Sequence, residues 1–166
     1  MKLDFIVNYR LDSPADSNVR IVKLLIPSSI SGHMDKDDYL LYCCGRIASL
    51  CMECRFYKRV QVMAPFLERP IRIKYMLSLP NNECILLDAS TERSELRRKA
   101  KELADYFDIA RKQNKSHFNI KHSILLTPNI ETNMADLEHE YRIKIMPLNE
   151  SIRFVNGIVA NAKSDQ

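Results

Sequence analysis

Four of the five cysteines in this 166-residue chain lie within twelve residues, in the segment CCGRIASLCMEC at positions 43–54. Thiolate sulfur binds zinc, and the Cys-x-x-Cys spacing of Cys51 and Cys54 is also that of redox dithiols. On one straight helix, however, cysteines seven residues apart stand roughly 10 Å apart along the axis, too far for one zinc with bonds of about 2.3 Å. The four cysteines share a helical side with Leu40 and Ile47, so we predict a buried apolar face.

The rest of the sequence carries no intact catalytic motif. Three glycines are too few for a phosphate-binding glycine loop, and neither Gly-x-Ser-x-Gly nor His-Glu-x-x-His occurs. The four histidines and the fifth cysteine are scattered along the chain. We therefore predict no catalytic residue, no metal site and no cofactor.

Composition places the chain in a broad class. Hydrophobic residues make up 46% and charged residues 28%, which is typical of a globular domain, and the net charge of +4 slightly favours anionic partners. The start of the sequence has no secretory signal pattern, and no run of about 18 apolar residues predicts a transmembrane segment. An odd number of cysteines indicates reduced thiols, so we expect an intracellular protein, either cytoplasmic or nuclear.

Hydrophobic periodicity predicts the secondary structure. Alternation with period two predicts strands, and apolar residues spaced three and four apart predict helices. We expect a single α+β domain over 1–166, with a largely antiparallel or mixed sheet of about seven strands, three helices on one face, and the order ββαβββαββα. The predicted strands cover 3–11, 19–26, 60–66, 71–79, 84–89, 118–127 and 141–146; the helices cover 35–59, the segment after residue 91, and 149–163, with a polar connection at 128–140.

From residue 35, the order of helix, three strands, helix and strand resembles that of restriction-endonuclease-like nucleases. Their PD-(D/E)xK motif places one acid on the second strand and an acid-x-Lys on the third; the acids hold Mg²⁺ and the lysine helps to activate water. Asp88 matches the third-strand acid, but Ser90 replaces the lysine and the second strand has no acid. The resemblance implies a degenerate nuclease-like domain, and we expect Asp88 to cap the following helix instead. The element order also resembles longin, profilin-like and secretion-chaperone modules, which are binding domains.

Basic residues occupy polar positions on several predicted strands. If these strands share one sheet and one register, alternation brings the basic side chains to its open face. Such a face would bind the phosphates of nucleic acid or anionic lipid with a salt-dependent affinity. Polar strand residues also serve simply to keep a solvent-facing sheet from aggregating, and the sequence leaves that alternative open. The candidate anion-binding residues are Arg72, Lys74, Lys121, Arg142 and Lys144.

Three functions follow in order of preference. The first is a non-enzymatic binding or structural subunit that acts through a protein partner or through self-association as a homo-oligomer. The second is a nucleic-acid or anionic-surface binding protein that uses the basic sheet face. The third is the degenerate nuclease-like domain implied by the element order.

Overall fold

The computed structural model describes residues 3–13, 16–27, 36–50, 54–62, 67–69, 71–112, 119–128 and 134–164. The strands are β1 (Leu3–Ser13), β2 (Asp16–Pro27), β3 (Arg55–Val62), β4 (Ile71–Ser78), β5 (Glu83–Ala89), β6 (Asn119–Leu126) and β7 (Lys144–Met146). The helices are α1 (Lys36–Leu50), α2 (Arg93–Lys112), α3 (Met134–Tyr141) and α4 (Leu148–Ser164).

A four-stranded mixed sheet, β4 to β7, lies at the centre of the fold. β4 and β5 are antiparallel, whereas β5, β6 and β7 run parallel to one another. Parallel neighbours need a crossover, and α2 and α3 provide the two crossovers here. On the β4 edge the sheet continues through β3 to the β1–β2 hairpin, in the order β2-β1-β3-β4-β5-β6-β7.

The predicted arrangement of about seven strands with three helices in the order ββαβββαββα is wrong, although the α+β class stands. The chain forms four helices around the mixed sheet, and the observed order is ββαβββαβαβα. The additional helix, α3, lies in the segment that we expected to be a polar connection, and β7 begins at Lys144 rather than at 141. α3 has eight residues, of which Met134 is buried, so its sequence shows too short an apolar stripe to reveal a helical period.

Helices cover both faces of the mixed sheet, so the open basic face that we expected is absent from the described structure. α1 and α4 pack on the side to which Leu87 and Ala89 point. α2 and α3 pack on the opposite side, to which Cys84 and Leu86 point. The burial of β5 explains why helices lie on both faces. All residues from 84 to 89 are buried, and a strand whose successive side chains are all buried needs cover on both sides of the sheet.

The cysteine-rich helix α1 confirms one prediction and corrects another. Cys43 and Cys44 are fully buried in the core, as the apolar-face interpretation requires. α1 ends at Leu50, however, because the alternating residues of 55–62 form β3 instead of continuing the helix. Cys51 lies outside the described residues. Cys54 follows the helix and is disulfide-bonded, so the expectation that all five thiols are reduced is wrong.

Candidate functional site

A chain of alternating charges crosses from β5 to α2. The Lys99 ammonium lies 3.4 Å from Asp88 Oδ2 and 3.4 Å from Glu102 Oε2. The Asp88 and Lys99 side chains are only 10% and 6% exposed, so this is a buried ion pair. The second carboxylate oxygen of Asp88 accepts a hydrogen bond from the backbone N–H of Ala89 at 2.7 Å. Asp88 therefore stabilises the end of β5, and our prediction that it caps the following helix is wrong.

Lys74 on β4 extends these contacts to α1. Its ammonium donates a hydrogen bond to Asp37, near the start of that helix. Burial by itself would lower the pKa of Lys74, but the hydrogen bond to Asp37 and the negative charge of Asp88 outweigh burial and raise it. We refer to Asp37, Lys74, Asp88, Lys99 and Glu102 as the ionic cluster.

The ionic cluster bears on the resemblance to nucleases. Asp88, the third-strand acid, does lie near a second carboxylate, but the ammonium of Lys99 contacts both of them. Across the described ranges, no three histidine, cysteine, aspartate or glutamate side chains come close enough together to hold a metal ion. What the structure shows at this position is mutual neutralisation of acids and lysines.

The five predicted anion-binding residues separate into two groups. Arg72 is exposed on β4, and Lys74 belongs to the ionic cluster. Lys121, Arg142 and Lys144 line one pocket at the opposite edge of the sheet. Arg72 and Lys74 are not among the residues that line this pocket, and β5 lies between their strand and β6.

This pocket, with a volume of about 490 Å³, lies between the C-terminal part of α2, the first half of β6, α3 and the turn into β7. β7 pairs only with residues 124–126 of β6, so the earlier residues of β6 extend past it. We call it the basic pocket. Its cationic side chains are Arg111, Lys121, Arg142 and Lys144, and Glu138 is its acid.

Two local irregularities of the backbone position two of these cations. Between β5 and β6 the register passes from Cys84–Ile120 to Ile85–His122, so Lys121 is an extra residue in a β-bulge. A bulge changes the direction in which a side chain points. Arg142 has a φ of 55°, in the left-handed region that non-glycine residues seldom adopt.

The cations of the basic pocket are not neutralised by acids in the part of the chain that the structure describes. Arg111 lies over the ring of Phe107, with its guanidinium carbon 5.3 Å from the ring centroid, and makes no ion pair there. Glu138 is engaged elsewhere, because its Oε1 accepts a hydrogen bond from the backbone N–H of Ile145 at 2.7 Å. Four positive side chains and one acid give the pocket a positive potential that attracts anions.

A serine in the wall of the basic pocket has an unsatisfied hydroxyl. Ser123 on β6 is 3% exposed, and its buried Oγ has no hydrogen-bond partner among the described residues. A buried hydroxyl without a partner costs about 1–3 kcal/mol. A ligand acceptor that reached this oxygen would satisfy it and recover that cost.

No family model matches the chain, and neither a curated protein nor a solved structure matches it significantly. In the described part of the chain, no helix is both long and apolar enough to cross a membrane.

Sequence reasoning missed two important residues of the basic pocket. Arg111 ends α2 and looks in the sequence like one more charge on a solvated helix. Ser123 looks like one more polar residue of an open face, because its burial depends on α2 and α3 lying over β6. Neither residue carries a local signal that could have revealed its place.

Proposed function

We propose that this protein binds nucleic acid through its phosphate groups at the basic pocket. The supporting observation is that Arg111, Lys121, Arg142 and Lys144 line one cavity and form no ion pair with any described acid. By contrast, Arg97, which lies on α2 as Arg111 does, forms an ion pair with Glu140 at 2.8 Å, as surface arginines commonly do. Cations that remain without an acidic partner in a concave site can release counterions when they contact phosphates.

The chemistry of the pocket favours nucleic acid over a membrane surface. Arginine presents a planar guanidinium that can donate two parallel hydrogen bonds to a phosphate, and the pocket has two arginines. A membrane-binding surface adds large apolar side chains that are free to enter the bilayer. The large apolar residues of this pocket wall, Phe107 and Ile143, are 7% and 4% exposed and belong to the core.

The test is the anisotropy of a labelled single-stranded DNA or RNA titrated with the protein, at salt concentrations between about 50 and 200 mM. Two to four phosphate contacts predict a slope of log affinity against log salt of roughly −1.5 to −3. Lys144→Glu should weaken binding about ten-fold or more. Arg72→Glu is the matched control, since it makes the same charge change at an exposed residue of the same sheet, away from the pocket.

Two results would overturn the proposal. One is equal weakening by Arg72→Glu and Lys144→Glu, because net charge would then explain the binding. The other is the absence of nucleic-acid binding at the lowest salt. Binding to vesicles that contain an anionic lipid, without binding to DNA or RNA, would assign the pocket to a membrane surface instead.

Two expectations from the sequence accompany this proposal. An intracellular location suits a nucleic-acid ligand and the free thiols of Cys43, Cys44 and Cys84, whereas the disulfide of Cys54 is more typical of an oxidising compartment. A protein partner or a homo-oligomer, our first expectation from the sequence, stays a prediction. Sedimentation of the purified chain over a range of protein concentrations tests self-association directly.

A further inference from the structure

We infer that the basic pocket receives the phosphorylated end of a nucleic-acid strand and that the Ser123 hydroxyl donates a hydrogen bond to this terminal phosphate. The inference rests on the proposed function and specifies which part of the nucleic acid the site recognises. It follows from the depth of Ser123, the size of the cavity and the number of cations around it.

The burial of Ser123 favours binding of the end of a nucleic-acid strand over binding of an internal phosphate. Ser123 lines the pocket but its Oγ is itself buried, so only a group that enters the pocket and displaces the atoms covering this oxygen can contact it. A terminal phosphate is attached to the strand on one side and can enter first. An internal phosphodiester has a nucleoside on each side, and both would have to enter a cavity of about 490 Å³, which is the size of a site for one small ligand.

The charge of the phosphate also favours a terminal phosphate over an internal one. A phosphate monoester carries between about −1.5 and −2 at neutral pH and has three strong acceptor oxygens. An internal diester carries one negative charge and has two free oxygens. Arg111, Lys121, Arg142 and Lys144 together match the dianion better, and the Ser123 hydroxyl has one proton to donate to one of its oxygens.

The experiment compares two oligonucleotides of one sequence, the first with a 5′-phosphate and the second with a 5′-hydroxyl, and repeats the pair for the 3′ end. The protein should bind one phosphorylated form about ten-fold or more tightly than its hydroxyl form, the scale of hydrogen bonds to a charged group. Ser123→Ala should remove most of this preference by weakening the binding of the phosphorylated oligonucleotide.

Ser151→Ala is the matched control for Ser123→Ala. Ser151 is also a buried serine, but it lies on α4 and its Oγ donates a hydrogen bond to the carbonyl of Pro147 at 2.9 Å. This variant should lose stability and keep the full preference for the phosphorylated end. Ser123→Ala removes a hydroxyl that has no described partner, so it should fold at least as stably as the parent.

The outcomes separate the two proposals. If neither oligonucleotide binds, the proposed function fails, and this inference fails with it. If both bind equally and their affinity falls with salt, the proposed function stands and end recognition is wrong. If Ser123→Ala keeps the full preference, the role of Ser123 is wrong. A mononucleotide 5′-phosphate that competes as well as the whole strand would show that the ligand is a phosphorylated small molecule.

Discussion

Replacing Lys99 with methionine should destabilise the fold by about 3–5 kcal/mol, the usual cost of removing one partner of a buried ion pair. The change removes the ammonium and retains most of the side-chain volume, so little cavity forms. Asp88 would remain buried as a carboxylate, with the N–H of Ala89 as its hydrogen-bond donor and without the cation that now lies 3.4 Å away.

The distance sets the scale of this effect. Two unit charges 3.4 Å apart attract each other by roughly 5 kcal/mol at an effective dielectric constant of about 20. Removing the ammonium also removes the cost of burying it, which offsets part of that attraction. Since small domains are stable by about 5–15 kcal/mol in total, the variant should lose a large fraction of its free energy of unfolding.

Urea unfolding, followed by circular dichroism, measures the change. For an m value of about 2 kcal/mol/M, a loss of roughly 3 kcal/mol lowers the midpoint by about 1.5 M urea. Lys101→Met is the control, because Lys101 is exposed on the same helix and the change should stay within about 0.5 kcal/mol. The double variant Asp88→Asn with Lys99→Met leaves no unpaired carboxylate at position 88, and Glu102 keeps its ion pair with Arg98, so it should be more stable than Lys99→Met alone.

A Lys99→Met variant as stable as Lys101→Met would show that Lys99 and Asp88 do not form a buried pair in solution. A double variant no more stable than Lys99→Met would show that the loss comes from packing and not from an unpaired carboxylate.

Two further predictions concern a thiol and an acid. Burial raises the pKa of Cys43 from 9.0 to about 12. The contribution of this thiol to the free energy of unfolding is therefore complete below pH 9.0 and declines as the pH rises towards about 12. Urea unfolding across this pH range should show a smaller decline in stability for Cys43→Ala than for the parent protein. Glu138→Gln keeps an acceptor for the N–H of Ile145 and removes the negative charge from the basic pocket, so oligonucleotide binding should tighten. Glu138→Ala also loses the acceptor and should cost about 1–3 kcal/mol, with faster hydrogen exchange at Ile145, whereas unchanged exchange would contradict this hydrogen bond.

Long periodic segments were predictable because their pattern is local. The helix that we predicted after residue 91 is α2, and the apolar residues spaced three and four apart along it, Leu96, Ala100, Leu103, Phe107 and Ala110, are all buried. The end of α1 was not predictable from the same rule, because Cys51 and Cys54 continue the apolar side of the helix in the sequence, whereas 55–62 pair with β4 as a strand. α3 was missed because eight residues with one buried side chain provide no period to read.

The basic pocket was only partly predictable. Alternation placed Lys121, Arg142 and Lys144 on strands; Lys121 is on β6 and Lys144 on β7, but Arg142 lies in the turn before β7, and all three line one cavity. Alternation could not show that helices cover both faces of the sheet, or that Arg72 and Lys74 lie outside this cavity. Ser123 is buried by residues that are distant in the sequence, so no local sequence pattern could have predicted its burial.

The left-handed backbone of Arg142 has a consequence for how this chain evolves. Asparagine tolerates that conformation, as Asn82 does in the turn before β5, but a long side chain there costs about 1–2 kcal/mol. Selection for stability alone would replace Arg142 with glycine, which relaxes the backbone and removes the guanidinium from the pocket. Among descendants of a common ancestor, an arginine at this position would mark lineages that still bind the ligand, and a glycine would mark lineages that retain only the fold.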